Sequence, residues 1–94
     1  MTNIQNISLD ETAELIADDG ERSAVFCSER PIQAAEFFKC QQAGIENIRQ
    51  VVVNSDEYGN QMRVDFGNVE YTVYRIYKRF DGYTELYLSE RIGV

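Results

Sequence analysis

Along residues 9–16 the apolar positions fall at helical spacing. Leu9, Thr12, Ala13 and Ile16 follow at intervals of three and one to three residues, the repeat of one helix face. Ser8-Leu9-Asp10-Glu11 offers a capping box, in which Ser8 caps free backbone N–H groups and Glu11 reaches back. Gly20 offers the stop. These signals predict a first helix. The short apolar run at residues 23–27 predicts a strand. Pro31 suits the first turn of a second helix that Gly44 ends. Ile32, Ala35 and Phe38 give that helix a buried stripe, widened by Ala34 and Phe37.

The period then changes. Residues 48–53 are rich in β-branched side chains and predict a strand. Residues 54–60 form a polar turn. Residues 61–66 alternate, with Met62, Val64 and Phe66 on one face and Gln61, Arg63 and Asp65 on the other. Gly67-Asn68 and Asp81-Gly82 are two-residue turn signals. The expected fold is α+β, with two helices packed on one face of an antiparallel β-meander, in the order α-β-α-β-β-β-β. Residues 1–94 are expected to form a single domain, with no internal repeat or linker.

The two turns set an expected register. Gly67-Asn68 pairs Phe66 with Val69, Val64 with Tyr71 and Met62 with Val73. Asp81-Gly82 pairs Lys78 with Glu85, Ile76 with Tyr87 and Tyr77 with Leu86. One face then carries Met62, Val64, Phe66, Val69, Tyr71, Val73, Tyr77, Leu86, Leu88 and Ile92, and is expected to be the core. The other carries Arg63, Tyr74, Ile76, Lys78, Phe80, Tyr83, Glu85, Tyr87 and Arg91. That is more aromatic than a solvent face needs to be. Tyrosine is a good strand former whose hydroxyl stays wet. Tyrosine and arginine are also enriched at binding hot spots. Arg75 falls on the nominal core face, where it is expected to snorkel or pair with Glu90.

Charge sharpens this picture. The 94 residues carry a net charge of −7 and no histidine. Residues 1–47 hold nine acids and three bases, whereas residues 48–94 hold seven and six. Between Asp10 and Glu21 stand Asp10, Glu11, Glu14, Asp18, Asp19 and Glu21, with no base among them. Glu29 and Glu36 follow. Such a surface repels nucleic acid and attracts basic proteins over about 8–10 Å at physiological salt. The eight acids are one candidate binding face. Arg63, Tyr74, Ile76, Lys78, Phe80, Tyr83, Tyr87 and Arg91 are the other, as a homodimer surface or a stacking platform for single strands.

Candidate chemistry is sparse. Without histidine, Cys27 and Cys40 lack the partners of a typical zinc site or of cysteine catalysis. They are expected to be buried thiols in a reducing, intracellular setting. Asn54 to Gly59 resembles the start of a calcium loop, with Asp65 at the twelfth position. Tyr58 at the fifth position and flanking strands predict a polar hairpin loop instead. The glycines are isolated and form no phosphate loop. No apolar run approaches a membrane span. No cofactor, metal or catalytic residue is expected. Direct nucleic-acid binding is disfavoured by the charge.

The order α-β-α-β-β-β-β, the size and the acidity resemble the phage uracil-DNA glycosylase inhibitor family, over the whole chain and in layout rather than motif. That family carries a Glu-Ser-Ile run entering its second helix, where this chain reads Cys27-Ser28-Glu29-Arg30-Pro31-Ile32. No site residue is carried over. More broadly the chain looks like the small acidic proteins with which phages block host nucleases, anti-CRISPR proteins included. The resemblance implies an inhibitor that presents nucleic-acid-like charge to a protein with a basic nucleic-acid-binding surface.

Overall fold

A computed structural model of the protein describes residues 8–92, and the side chains of residues 8–90. Its elements are β1 (Glu11–Ile16), β2 (Arg22–Arg30), α1 (Ala34–Ala43), β3 (Ile45–Asn54), a 3-10 turn (Ser55–Glu57), β4 (Arg63–Phe66), β5 (Val69–Lys78) and β6 (Tyr83–Ile92). The strands close into a barrel in the order β1-β2-β3-β6-β5-β4, with every neighbouring pair antiparallel. Two three-stranded meanders, β1-β2-β3 and β4-β5-β6, meet along β3 with β6 and along β1 with β4. The expected two helices on a four-stranded meander are therefore corrected to a six-stranded barrel with one helix outside it. The layout that resembled the glycosylase inhibitors goes with that correction.

The first predicted helix is β1 and a turn. Ala13 and Leu15 point into the barrel and are buried, while Thr12 and Glu14 lie outside. The Ser8 hydroxyl bonds the Asp10 carboxylate at 3.4 Å instead of capping a helix. The physical reason is closure. β1 is paired on both sides, with β2 and with β4, so its backbone donors and acceptors are satisfied by two ladders. A helix this short would depend on packing for nearly all its stability. Without β1, the edges of β2 and β4 would both stand open.

Among the described residues, the buried cluster inside the barrel comes from the six strands, with Tyr58 of the loop before β4 packed against it. Ala13, Leu15, Val25, Cys27, Val51, Val53, Val64, Phe66, Tyr71, Val73, Leu86 and Leu88 form one buried cluster. Each large aliphatic residue among them contributes roughly 1.5–3 kcal/mol by leaving water. The expected core positions Val64, Phe66, Tyr71, Val73, Leu86 and Leu88 are buried, and Val69 packs against them. Met62 and Tyr77 are exposed instead. The side chains of Ile92 and Arg91 lie outside the described residues.

The first hairpin register holds: Phe66 pairs with Val69 and Val64 with Tyr71 across Gly67 and Asn68, both at positive φ. The second differs by one residue. The Arg79 N–H bonds the Tyr83 carbonyl at 2.8 Å, which makes the loop three residues long, Phe80-Asp81-Gly82. Ile76 therefore pairs with Leu86, and Tyr77 with Glu85. A one-residue shift exchanges the faces of a strand. A bulge between Val73 and Arg75 restores the original parity beyond it.

The β1–β2 hairpin repeats the same loop. Asp18-Asp19-Gly20 is closed by the Ala17 N–H on the Glu21 carbonyl at 2.9 Å. In each loop the aspartate accepts the N–H two residues on, Asp19 from Glu21 and Asp81 from Tyr83. Each ends on a glycine in the left-handed region, Gly20 at φ +89° and Gly82 at φ +90°. Nothing lies within 4 Å of a Cβ added at either, so the cost of a side chain there is backbone strain alone. Gly82→Ala is expected to lower stability by about 1 kcal/mol. Gly59→Ala, at ordinary φ and with only the Gln61 side chain nearby, is the control. Equal losses for the two in thermal melts would rule out strain as the cause.

α1 ends at Gly44 as expected, in the left-handed conformation with its N–H on helix carbonyls. Its predicted buried stripe is not buried. Phe37 is 46% exposed and Phe38 60%, Ala34 and Ala35 are exposed, Ile32 is half-buried, and only Cys40 of the helix is fully buried. The closed barrel has no open core face for a helix to cover, so α1 docks on the outside through polar groups. Among the described residues, no helix is long and apolar enough to cross a membrane.

Candidate functional site

The eight acids of the first candidate face do not share one surface. Glu11 and Glu14 are on β1, Asp18 and Asp19 at the hairpin tip, Glu21 just before β2, Glu29 on β2, and Glu36 on α1. Asp10 precedes β1 and is exposed. At about 3.3 Å per residue the two β1 acids, Glu11 and Glu14, lie some 10 Å apart along the strand. Three of the eight are engaged by arginines. Arg22 Nη1 donates to Glu14 at 2.8 Å and to Asp65 at 3.2 Å. Glu14 and Asp65 are direct cross-strand partners, and two like charges so placed are destabilising unless a cation lies between them. Arg49 Nη1 donates to both oxygens of Glu29, at 3.0 and 2.9 Å. Glu11 accepts the Glu29 backbone N–H. Asp18, Asp19 and Glu21 are exposed, and among the described residues no ion pair reaches them.

Glu36 has a different role from the other acids. It faces the barrel, with its side chain 13% exposed. Its Oε2 accepts the Tyr74 hydroxyl at 2.8 Å and its Oε1 accepts Arg75 Nη2 at 2.7 Å. Burial alone would raise its pKa. The Tyr74 hydroxyl and the Arg75 charge outweigh burial and hold the carboxyl below its ordinary range. The Cys40 thiol, one helical turn on, donates to the Tyr74 oxygen at 3.1 Å. Burial, then Cys40 and Glu36, push the Tyr74 phenol well above its usual range.

The second candidate face is split by the bulge. Tyr74 and Tyr87 lie beneath α1, with ring centroids 6.2 Å apart. Arg75, expected on the core face against Glu90, is outside, bound to Glu36, with its guanidinium 4.0 Å over the Tyr87 ring. The Tyr87 hydroxyl donates to Glu85 at 2.7 Å, and its phenol is pushed up to about 12 by burial and by Glu85. Arg79 connects Glu85 and Asp81. Ile76 and Lys78 pair with Leu86 and Thr84, on the other side of the strand from Tyr87. Phe80 is fully exposed in its loop, and Tyr83 is half-buried at the start of β6. Arg63, exposed, pairs with Glu70. The structure thus brings Tyr74, Tyr87 and Glu85 together and separates Arg63, Ile76, Lys78 and Phe80 from them.

Cys27 and Cys40 are both buried and unpaired. The Cys27 thiol sits inside the barrel, where burial pushes it up to about 11. No group of three or more metal-ligating side chains converges among the described residues. The connected cluster of Glu36, Cys40, Tyr74, Arg75, Tyr87, Glu85 and Arg79 was not evident from spacing. The one local sign was a buried-type position, Cys40, at i+4 from an acid.

Set against known proteins, the chain is similar to none at a significant level: no family model, no curated protein and no solved structure matches it.

Proposed function

We propose that the chain is a non-enzymatic binding protein, which presents its acidic β1–β2 hairpin to the basic, nucleic-acid-gripping surface of another protein and inhibits it. The observation that carries this reading is the hairpin tip. Asp18, Asp19 and Glu21 stand exposed on a tight turn, and among the described residues no ion pair reaches them. Extended presentation at the end of a barrel lets such charges approach a basic groove closely, where counterion release adds to the attraction. An inhibitor of the kind phages use against host nucleases is the concrete form of this reading. The two unpaired thiols fit a reducing cytoplasm.

The test is capture from the native host on the immobilised chain, eluted by a salt gradient. The expected prey is a nucleic-acid-binding protein displaced by duplex DNA. The triple substitution Asp18→Asn, Asp19→Asn, Glu21→Gln keeps the Asp19 side-chain acceptor and removes three charges. It is expected to weaken capture by about tenfold or more. A prey retained equally by the triple variant, or indifferent to DNA, would show that the tip is not the contact.

A further inference from the structure

A polar row crosses four strands on the outer face of the barrel. Arg30 of β2 pairs with Gln50 of β3, Gln50 with Tyr87 of β6, and Tyr87 with Arg75 of β5. Direct antiparallel partners share a face, with Cβ atoms about 4.5–5.5 Å apart, so the four side chains stand side by side. The first turns of α1 lie over them. Two adjoining clefts open along the row. One, of about 230 Å³, is lined by Lys39, Arg75 and Tyr87 among others. The other, of about 280 Å³, is lined by Arg30, Ile32 and Arg79 among others. Gln33, Gln50 and Glu85 line both.

Gln50 is the side chain that points to a ligand. It is only 8% exposed, yet its amide makes no hydrogen bond to any described residue. The other buried polar residues are bonded: Thr84 to the Ser55 hydroxyl, and Ser89 to the Glu46 carbonyl. Among the described residues no side-chain N or O that is cut off from solvent lacks a partner, so the Gln50 amide is open to the two clefts it lines and offers them two donors and an acceptor.

The charge of the clefts gives the ligand its sign. Arg30, Lys39, Arg75 and Arg79 face Glu36 and Glu85, a positive balance within a chain of net −7. Arg75 and Arg79 are held by carboxylates, but Arg30 and Lys39 take part in no ion pair among the described residues. The start of α1, whose N-cap Gln33 supplies no side-chain cap, adds a positive helix end to the same wall.

We propose that these clefts bind a small organic anion, whose carboxylate or phosphate group is drawn by Arg30 and Lys39 and whose neighbouring polar group bonds the Gln50 amide. Each cleft is smaller than the roughly 300 Å³ at which drug-sized sites begin, so the ligand is of metabolite size. The site is independent of the acidic hairpin.

Titration of the isotope-labelled full chain with inorganic phosphate, adenosine monophosphate and citrate, followed by NMR, tests this. At millimolar concentration at least one is expected to shift the Gln50 side-chain amide and the backbone amides of residues 33–36 saturably. Adenosine monophosphate binding above phosphate assigns a phosphate ester, and citrate alone assigns a carboxylate. Gln50→Leu is expected to weaken the binding by about tenfold or more. Arg30→Ala with Lys39→Ala, both on exposed side chains, is expected to do the same and guards against a folding defect in the first variant. Linear shifts with all three probes, or saturable shifts that both variants retain, would overturn the proposal.

Discussion

Leu15→Ala is expected to remove about 2–5 kcal/mol of folding stability, the range for a large aliphatic residue cut back inside a packed core. Leu15 is 0% exposed. It is held between Ser23 of β2 and Val64 of β4, at the seam that closes the barrel. Against a typical total of about 5–15 kcal/mol, the loss is large enough to populate the unfolded state. Thr12→Ala is the companion. A helix with its buried stripe at Leu9, Thr12, Ala13 and Ile16 would make Thr12 the more costly residue to change. The strand puts Thr12 outside, opposite Phe26, and predicts an effect within about 0.5 kcal/mol. Urea denaturation of both variants, read as midpoint shifts at constant slope, decides between them. Comparable losses from the two would exclude the strand.

That pair of substitutions marks where local pattern stops being informative. Residues 8–20 carry both a helical spacing and a Glu11-Ala13-Leu15 alternation. The choice between them is made by partners far away in the chain. Asp65 and Val64, which complete the β1 ladder, lie about fifty residues on. The β4–β5 hairpin was legible because everything that fixes it is local: a left-handed turn at Gly67-Asn68 and strict alternation on both sides. Gly44 was legible for the same reason. Asp19-Gly20 is the same dipeptide as Asp81-Gly82 and builds the same loop. The signal for the first hairpin was therefore present, but a helix stop uses glycine too. The three-residue loop at Phe80-Asp81-Gly82 and the bulge beside Tyr74 each shift parity by one, which alternation alone cannot place. They carried Arg75 outward and Tyr77 away from the core. The β3–β6 pairing, Val51 with Leu86 for one, has no local signature at all.

The candidate sites were legible in residue type and not in role. By type Glu36 belongs with the acids of a charged surface, whereas in the structure it anchors α1. By strand parity Tyr74 and Tyr87 belong to an exposed aromatic face, whereas they form the floor beneath that helix. Both shifts have one cause. A closed barrel fills its interior from its own strands, so the amphipathic helix finds no apolar face and settles on a polar one. The aromatic residues meant for a core, Phe37 and Phe38, are left facing solvent.

A helix docked in that way depends on very few groups, and Glu36→Ala is expected to release it. The substitution deletes the acceptor of the Tyr74 hydroxyl and the partner of Arg75. Hydrogen bonds to an ionised group contribute about 1.5–3 kcal/mol each. The Arg75 side chain is 48% exposed, so solvent screening reduces its share, and a total of about 2 kcal/mol is expected. The loss falls on α1 rather than on the barrel, whose interior Glu36 does not touch. Amide exchange at residues 34–43 is expected to quicken by about thirtyfold, while that of β3 and β6 is unchanged. Acid should imitate the substitution. The Glu36 carboxyl is held below its ordinary value in the folded state, so its contribution is complete above the unfolded carboxylate range. It is lost as pH falls below about 4 and through the folded value. The two groups bonded to it, Tyr74 and Arg75, are both shifted upward, so neither changes its charge in that window. Glu36→Gln keeps an acceptor for Tyr74 without the charge, and the acid-dependent part of α1 exchange is expected to vanish in it. If the wild-type helix and the Glu36→Gln helix lose protection in parallel as pH falls, Glu36 is not what holds α1 to the barrel.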